Sequence, residues 1–256
     1  IIQPAFIEKY TGLKTYNLGL THADFAENYL TLYLYLQKNK APKHLFIYVS
    51  PESMDLNYNL FNTFRFSSMA NDTTVESVLK ECDKPYAQWK NIPFMQYAYY
   101  SNNIYYDAVD GFKHYMNNQQ HPYYKDGFTP PLFLSKPDSS DKYIEIYPQG
   151  FTFEWNITRE KYLRKTIELA LQKNIQVYLY ESPIAKQSIM HLKNRNKCID
   201  TIKQLADSYN IQYIQFENIK FADSGKNFLS SVIPTIQASA EFSDSLGKFI
   251  ATQLLK

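Results

Sequence analysis

Apolar positions along the chain change period several times, and each change marks an element. Lys14 to Leu18 form a short β-type run closed by Gly19. Phe25, Tyr29, Leu32 and Leu36 then recur at i, i+4, i+7 and i+11, and Thr21 with Asp24 makes a T-x-x-D capping box, which predicts a helix from Thr21. After Ala41-Pro42 the run His44 to Val49 is mostly apolar, as in a strand covered on both faces. The last hundred residues repeat the alternation: helix about 158–173, strand 175–181, helix about 192–209, strand 211–216 and a closing helix from about 239 carrying Phe242, Leu246, Phe249 and Ile250. Alternating strands and helices with crossovers of this length imply an α/β fold, a three-layer doubly wound parallel sheet between helix layers.

Residues 51–150 break the alternation. The stretch is rich in Tyr, Asn and Pro, with helices expected near 73–82 and 93–117. It reads as a mainly helical, aromatic-rich insertion within a single domain spanning 1–256. Doubly wound sheets place ligands above the carboxyl ends of their strands, where such an insertion would form a lid.

The 256 residues suffice for a core of their own. Lys+Arg 27 against Asp+Glu 25 leaves a net charge of +2 with no long basic run, which argues against nucleic acid or anionic lipid as partner. No stretch approaches the length of a membrane span. Glycine is scarce, seven residues with none closer than Gly12 and Gly19, so neither GxGxxG nor GxxxxGK[ST] occurs. Cys82 and Cys198 lie far apart, and the five histidines form no i, i+4 pair, so neither a metal site nor another cofactor is expected. The chain opens Ile1-Ile2-Gln3-Pro4 without an initiator Met, which suggests that something upstream has been removed.

Four segments, IIQPAFIEKYTGLKTYNLGL (1–20), APKHLFIYVSPES (41–53), NIQVYLYESPI (174–184) and NIQYIQFEN (210–218), carry a resemblance to SGNH/GDSL-type hydrolases. The likeness is to the divergent cell-envelope branch that includes alginate O-acetylation proteins. It covers both ends of the chain and not the insertion. The resemblance implies strand order 2-1-3-4-5, ester or acyl-transfer chemistry on cell-envelope carbohydrate, and an exported or envelope-associated location.

The family's chemistry needs a Ser after the first strand, an oxyanion hole from amide donors, and a C-terminal Asp-x-x-His. By the resemblance the first strand and its Ser turn would lie ahead of Ile1, so the first strand is missing from this chain. Gly19, closing Asn17-Leu18-Gly19, matches the oxyanion glycine. The slot for an asparagine donor holds Ser50 to Ser53. Anchoring on Phe242-Ser243 puts Ser230 in the Asp slot and Ile233 in the His slot, and isoleucine accepts no proton. The resemblance therefore implies a degenerate or incomplete enzyme acting as a binding or scaffold protein for an acylated carbohydrate or other small ester. The alternative is an active serine esterase or O-acyltransferase completed by a segment upstream of Ile1. A third reading is an unrelated flavodoxin-like binding domain.

The pocket candidates are Asn17, Gly19, His22, Glu52, Ser53 and Ser230. His22 falls in the first turn expected after Gly19, as a ligand group or as a helix-start polar residue. Glu52 and Asp55 form either a carboxylate pair for acid/base work or a solvated loop. The aromatics between Tyr86 and Phe128 suit stacking on sugar rings or packing of a helical cap. Asn71-Asp72-Thr73 and Asn156-Ile157-Thr158 fit glycosylation sequons, and Asp72, Thr73 and Thr158 equally fit helix N-caps.

Overall fold

A computed structural model describes residues 2–20, 23–55, 64–67, 69–83, 147–216, 219–230 and 233–254, with isolated positions between 60 and 116. Three strands, β1 (His44–Tyr48), β2 (Gln176–Glu181) and β3 (Gln212–Gln215), form a parallel sheet in that order with β2 in the middle. His44 pairs with Gln176 and Tyr178 with Gln212. β1 and β2 are mostly apolar and none of the three runs contains proline, so a ladder forms where the sequence places it.

Helices lie against both faces. Side chains of a strand alternate between faces, and one set, Ile47 and Val49 from β1 with Val177 and Leu179 from β2, packs on α2 (Phe25–Lys38), α4 (Thr73–Cys82), α5 (Ile157–Gln172) and α7 (Arg195–Ser208). This is the main core; Leu30, Leu79, Leu163, Leu179 and Ile202 are buried to 1% exposure or less, each worth roughly 1.5–3 kcal/mol of burial. The opposite set, Phe46, Tyr178 and Tyr180 with Phe216 beyond β3, forms an aromatic layer. Phe46 stacks on Tyr178 at 4.8 Å, and Phe216 meets Phe242 edge-on at 5.2 Å. Phe242 belongs to α8 (Ile236–Phe249), and α1 (Pro4–Thr11) packs on the outside of α8. Between α5 and α8 lie the short helix α6 (Lys186–Ile189) and two strands, β4 (Phe228–Ser230) and β5 (Ile233–Pro234), paired antiparallel. A four-residue helix, α3 (Phe64–Ser67), precedes α4.

The caps explain the boundaries. Asp24 caps α2, accepting from the Ala26 amide at 3.0 Å while Glu27 accepts from the Asp24 amide at 2.8 Å. The box is therefore D-x-x-E and the helix starts at Phe25, four residues later than the Thr21 reading, because the reciprocal Asp24–Glu27 pair supplies two orphan amides at once. Asp72 caps α4 and Asn156 caps α5, each accepting from two amides; the second cap is the asparagine itself rather than Thr158. Pro4 starts α1, and Gly12 ends it at φ 66°, donating its amide to Glu8 O at 2.8 Å.

Two expectations are corrected. Residues 14–18 form no strand, and a neighbouring side chain takes a hydrogen bond a ladder would use: the Thr15 amide donates to Glu8 Oε1 at 2.7 Å. Nor is β1 fully covered, since His44, Leu45, Phe46 and Tyr48 are half-buried. The Gln176 amide donates to Lys43 O and the Val49 amide to Tyr180 O. By the ladder's period of two, the backbone groups of His44, Phe46 and Tyr48 point to the outer edge, where no described residue pairs with them.

In the insertion, the helix expected near 73–82 is α4. The helix expected near 93–117 and most of the aromatics lie outside the described residues; Tyr86 is buried and Phe112 is 64% exposed.

Candidate functional site

Parallel strands end together, and here three of them deliver polar side chains to one end. Just past β1 the chain turns through Pro51 into a short 3-10 turn, Glu52–Met54. Ser50 and Ser53 lock that turn reciprocally: the Ser50 amide donates to Ser53 Oγ at 2.8 Å, the Ser53 amide to Ser50 Oγ at 3.2 Å, and the Ser53 hydroxyl to Ser50 O at 2.8 Å. The Tyr48 hydroxyl donates to Ser50 Oγ at 3.0 Å. Arg159 of α5 fastens the turn from below, with Nη1 donating to Ser53 O at 3.0 Å and Nε 2.7 Å from Asp24 Oδ2. Asp55 Oδ1 accepts from the Glu154 amide at 2.9 Å, and the Asn156 amide donates to Met54 O at 2.9 Å.

Glu181 ends β2 and is 1% exposed. It accepts from Arg195 Nη2 at 2.9 Å, from the Tyr213 hydroxyl at 3.1 Å and from Gln215 Nε2 at 3.2 Å. Arg195, at the start of α7, is likewise buried. Ser182 comes just after β2, beside the Tyr48 hydroxyl.

Glu52 takes no part in these hydrogen bonds. Both of its carboxyl oxygens are closed off from solvent, and neither accepts a hydrogen bond from a described residue. Burial pushes the carboxyl up from the ordinary range, and the Glu181 charge adds to the push; its own amide, the nearby Ser50 hydroxyl and Arg195 offset only part of it. Burial also raises Tyr48, with the Glu52 charge adding to it, and raises Tyr213, with Glu181 adding to it, so both phenols remain protonated. The cluster thus combines one paired carboxylate and one carboxyl that holds its proton to higher pH than usual, the arrangement that equips a site to donate and accept hydrogen bonds at once.

Of the six pocket candidates, Glu52 and Ser53 lie in this cluster. Asn17 and Gly19 lie on the link between α1 and α2. Gly19 is exposed and its amide donates to Asn17 Oδ1 at 2.9 Å, while Asn17 Nδ2 donates to Ile2 O at 3.0 Å. His22 lies outside the described residues. Ser230 and Ile233 face each other across the β4–β5 pair. His44 begins β1, at the opposite end of the strand from Ser50, and His191 lies in the turn after α6. Asp55 does not pair with Glu52, since it is occupied in holding the chain at Glu154. No group of three or more His, Cys, Asp or Glu able to hold a metal occurs among the described residues, and no helix there is long and apolar enough to cross a membrane.

Sequence reasoning missed Tyr48, Glu181, Ser182, Arg195, Tyr213 and Gln215. The available signal was Glu181 itself: a carboxylate closing an otherwise apolar strand needs a buried partner. Two surface depressions, of about 410 and 440 Å³, lie on the exposed face of α5 around Lys161 and Glu168 and beside Gly12 and Lys14; none of the cluster residues lines them.

No family model matches the chain, and neither a curated protein nor a solved structure matches it.

Proposed function

We propose that this chain is an SGNH-hydrolase-like, doubly wound α/β protein that binds an acylated carbohydrate or other small ester at the carboxyl end of its sheet without cleaving it. The observation that carries the reading is the Glu52 carboxyl, buried and unbonded among the described residues beside the Glu181–Arg195 pair where β1 and β2 end. A carboxyl placed so is costly to the fold, and groups held in such settings gather where ligands bind. The position supports the same reading, because parallel sheets of this class receive ligands beyond the carboxyl ends of their strands. Against catalysis stand Ser230 and Ile233 in the slots that would hold the Asp and His of the family, a matter of sequence register.

A second reading, an active serine esterase or O-acyltransferase, is favoured by the outer edge of β1, which offers a further strand the backbone groups of His44, Phe46 and Tyr48. That strand would carry the nucleophile.

One experiment separates them. The protein is titrated calorimetrically with acetylated xylobiose, its acetate release is followed, and it is treated with a serine-directed fluorophosphonate. Saturable binding with neither acetate release nor labelling is the expected result. Labelling with acetate release would favour the esterase instead, and no binding at all removes the first reading.

A further inference from the structure

Resting on that reading, we propose that the Glu52 carboxyl is the group that donates a hydrogen bond to the carbonyl oxygen of the bound ester. Its surroundings define what it can do. Tyr48 faces it from β1, Glu181 from β2, and Arg195 and Cys198 from α7. Arg195 is already committed to Glu181 at 2.9 Å, so its charge is shared away from a second carboxylate. The Tyr48 hydroxyl is engaged by Ser50, and the Ser50 oxygen receives both Tyr48 and the Ser53 amide.

Glu52 is thus an acid whose two oxygens have no hydrogen-bond partner among the described residues, and the one positive charge that acts on it, Arg195, is committed to Glu181. In that setting the neutral form is favoured, and a neutral carboxyl differs from a carboxylate in one chemical respect: it carries an O–H to donate. The complementary ligand group is an uncharged acceptor, which an ester carbonyl is. A ligand carboxylate would bring a further negative charge beside Glu181, whose own charge already acts on Glu52. The residue also occupies the stretch where the resemblance calls for a side-chain amide donor, so a protonated acid would do the work of an amide there, as protonated carboxyls do in other carbonyl-binding sites.

The donor role separates from a merely structural one by substitution and pH. Glu52→Gln keeps a donor and removes the titration; Glu52→Leu keeps the volume and removes the donor. Affinities for acetylated xylobiose are measured by titration calorimetry over a pH series, with deacetylated xylobiose as control. The wild-type affinity should fall about tenfold as pH rises through the Glu52 titration, the Gln variant should bind at the acid-side wild-type level with a flat profile, and the Leu variant should lose about tenfold throughout. The proposal is overturned if the Gln variant binds as weakly as the Leu variant, if wild-type affinity is flat or rises with pH, or if the deacetylated sugar binds equally well. Should the Leu variant fail to fold by circular dichroism, the Gln profile decides alone. A wild type that binds no acetylated sugar overturns the binding reading as well, so the two failures are distinct.

Discussion

Arg195 Nη2 lies 2.9 Å from Glu181 Oε1, joining the first turn of α7 to the last residue of β2 with side chains only 6% and 1% exposed. A pair this deep has left water on both sides, and its attraction roughly offsets that desolvation; removing one partner takes this ion pair from a charge that stays buried. Arg195→Met should therefore cost about 3–5 kcal/mol in urea unfolding. The double variant Arg195→Met with Glu181→Leu should recover part of the loss, because both charges of the pair are then gone, while the Tyr213 hydroxyl and Gln215 amide lose the acceptor that Glu181 gave them. A double variant as unstable as the single one would show that packing around α7, not the ion pair, sets the cost.

Glu52 sets a pH dependence of opposite sign to that of most carboxylates. Burial raises its native-state titration above that of the unfolded chain, so the folded protein keeps the proton where the unfolded one has released it. Stability contributed by this group is whole below the unfolded value, falls as pH rises through the native titration, and stays low above it. Glu52→Gln should match the wild type in acid and exceed it at neutral and alkaline pH, with other carboxylates cancelling in the comparison. The measurement is a pair of urea unfolding curves at each pH. A variant less stable than the wild type at neutral pH would mean that the carboxyl has a stabilising partner. Gained stability alongside altered pH dependence of ligand affinity is the trade expected of a functional residue.

How far the sequence foretold this arrangement depends on how local the determining physics is. β1, β2 and β3 lie within a residue or two of their predicted spans, because apolar-rich runs bounded by Pro42, Asn174 and Asn210 need only the neighbouring ladder. Asn174 and Asn210 take φ of 56° and 53° where helix hands over to strand. The helix α8 begins three residues ahead of its predicted start, at Ile236, since Thr235 caps it by accepting from the Ala238 amide at 3.2 Å and its first turn lacks the apolar spacing that reveals later turns. The run 14–18 misled, because β-propensity describes a fit to neighbouring strands, and here Glu8 supplies a partner to Thr15 instead. The site was least legible. Glu52 reads as a loop residue until Glu181 and Arg195, more than a hundred positions away, are folded against it.

Neither cysteine should react in the folded protein. Burial pushes the Cys82 thiol up to about 12 and raises Cys198 as well, so little thiolate is available to attack. Ellman's reagent should label both only as fast as the chain unfolds, and the labelling rate should follow the urea dependence of unfolding. Rapid native-state labelling of one thiol per molecule would place a cysteine in a more open setting than Cys82 and Cys198 occupy.

The contact between α1 and α8 depends on Gly247, where the two helices approach too closely for a side chain. A Cβ there would lie 2.8 Å from Phe6 O, 3.0 Å from Tyr10 Cδ2 and 3.1 Å from Ile7 Cα. Two of these three atoms are backbone, which cannot swing aside as a side-chain tip can. Alanine at 247 is favoured by helix propensity, which works for it by about 0.8–1.0 kcal/mol. Overpacking typically costs about 1–3 kcal/mol and should win, because α1 must move bodily, disturbing the Ile7, Leu246 and Ile250 cluster that backs Phe46. Gly247→Ala should thus lower stability by up to about 2 kcal/mol, and hydrogen exchange should quicken in α1 more than in α5, which packs on the other face. A variant as stable as the wild type would mean that α1 rides loosely enough on α8 to yield without loss.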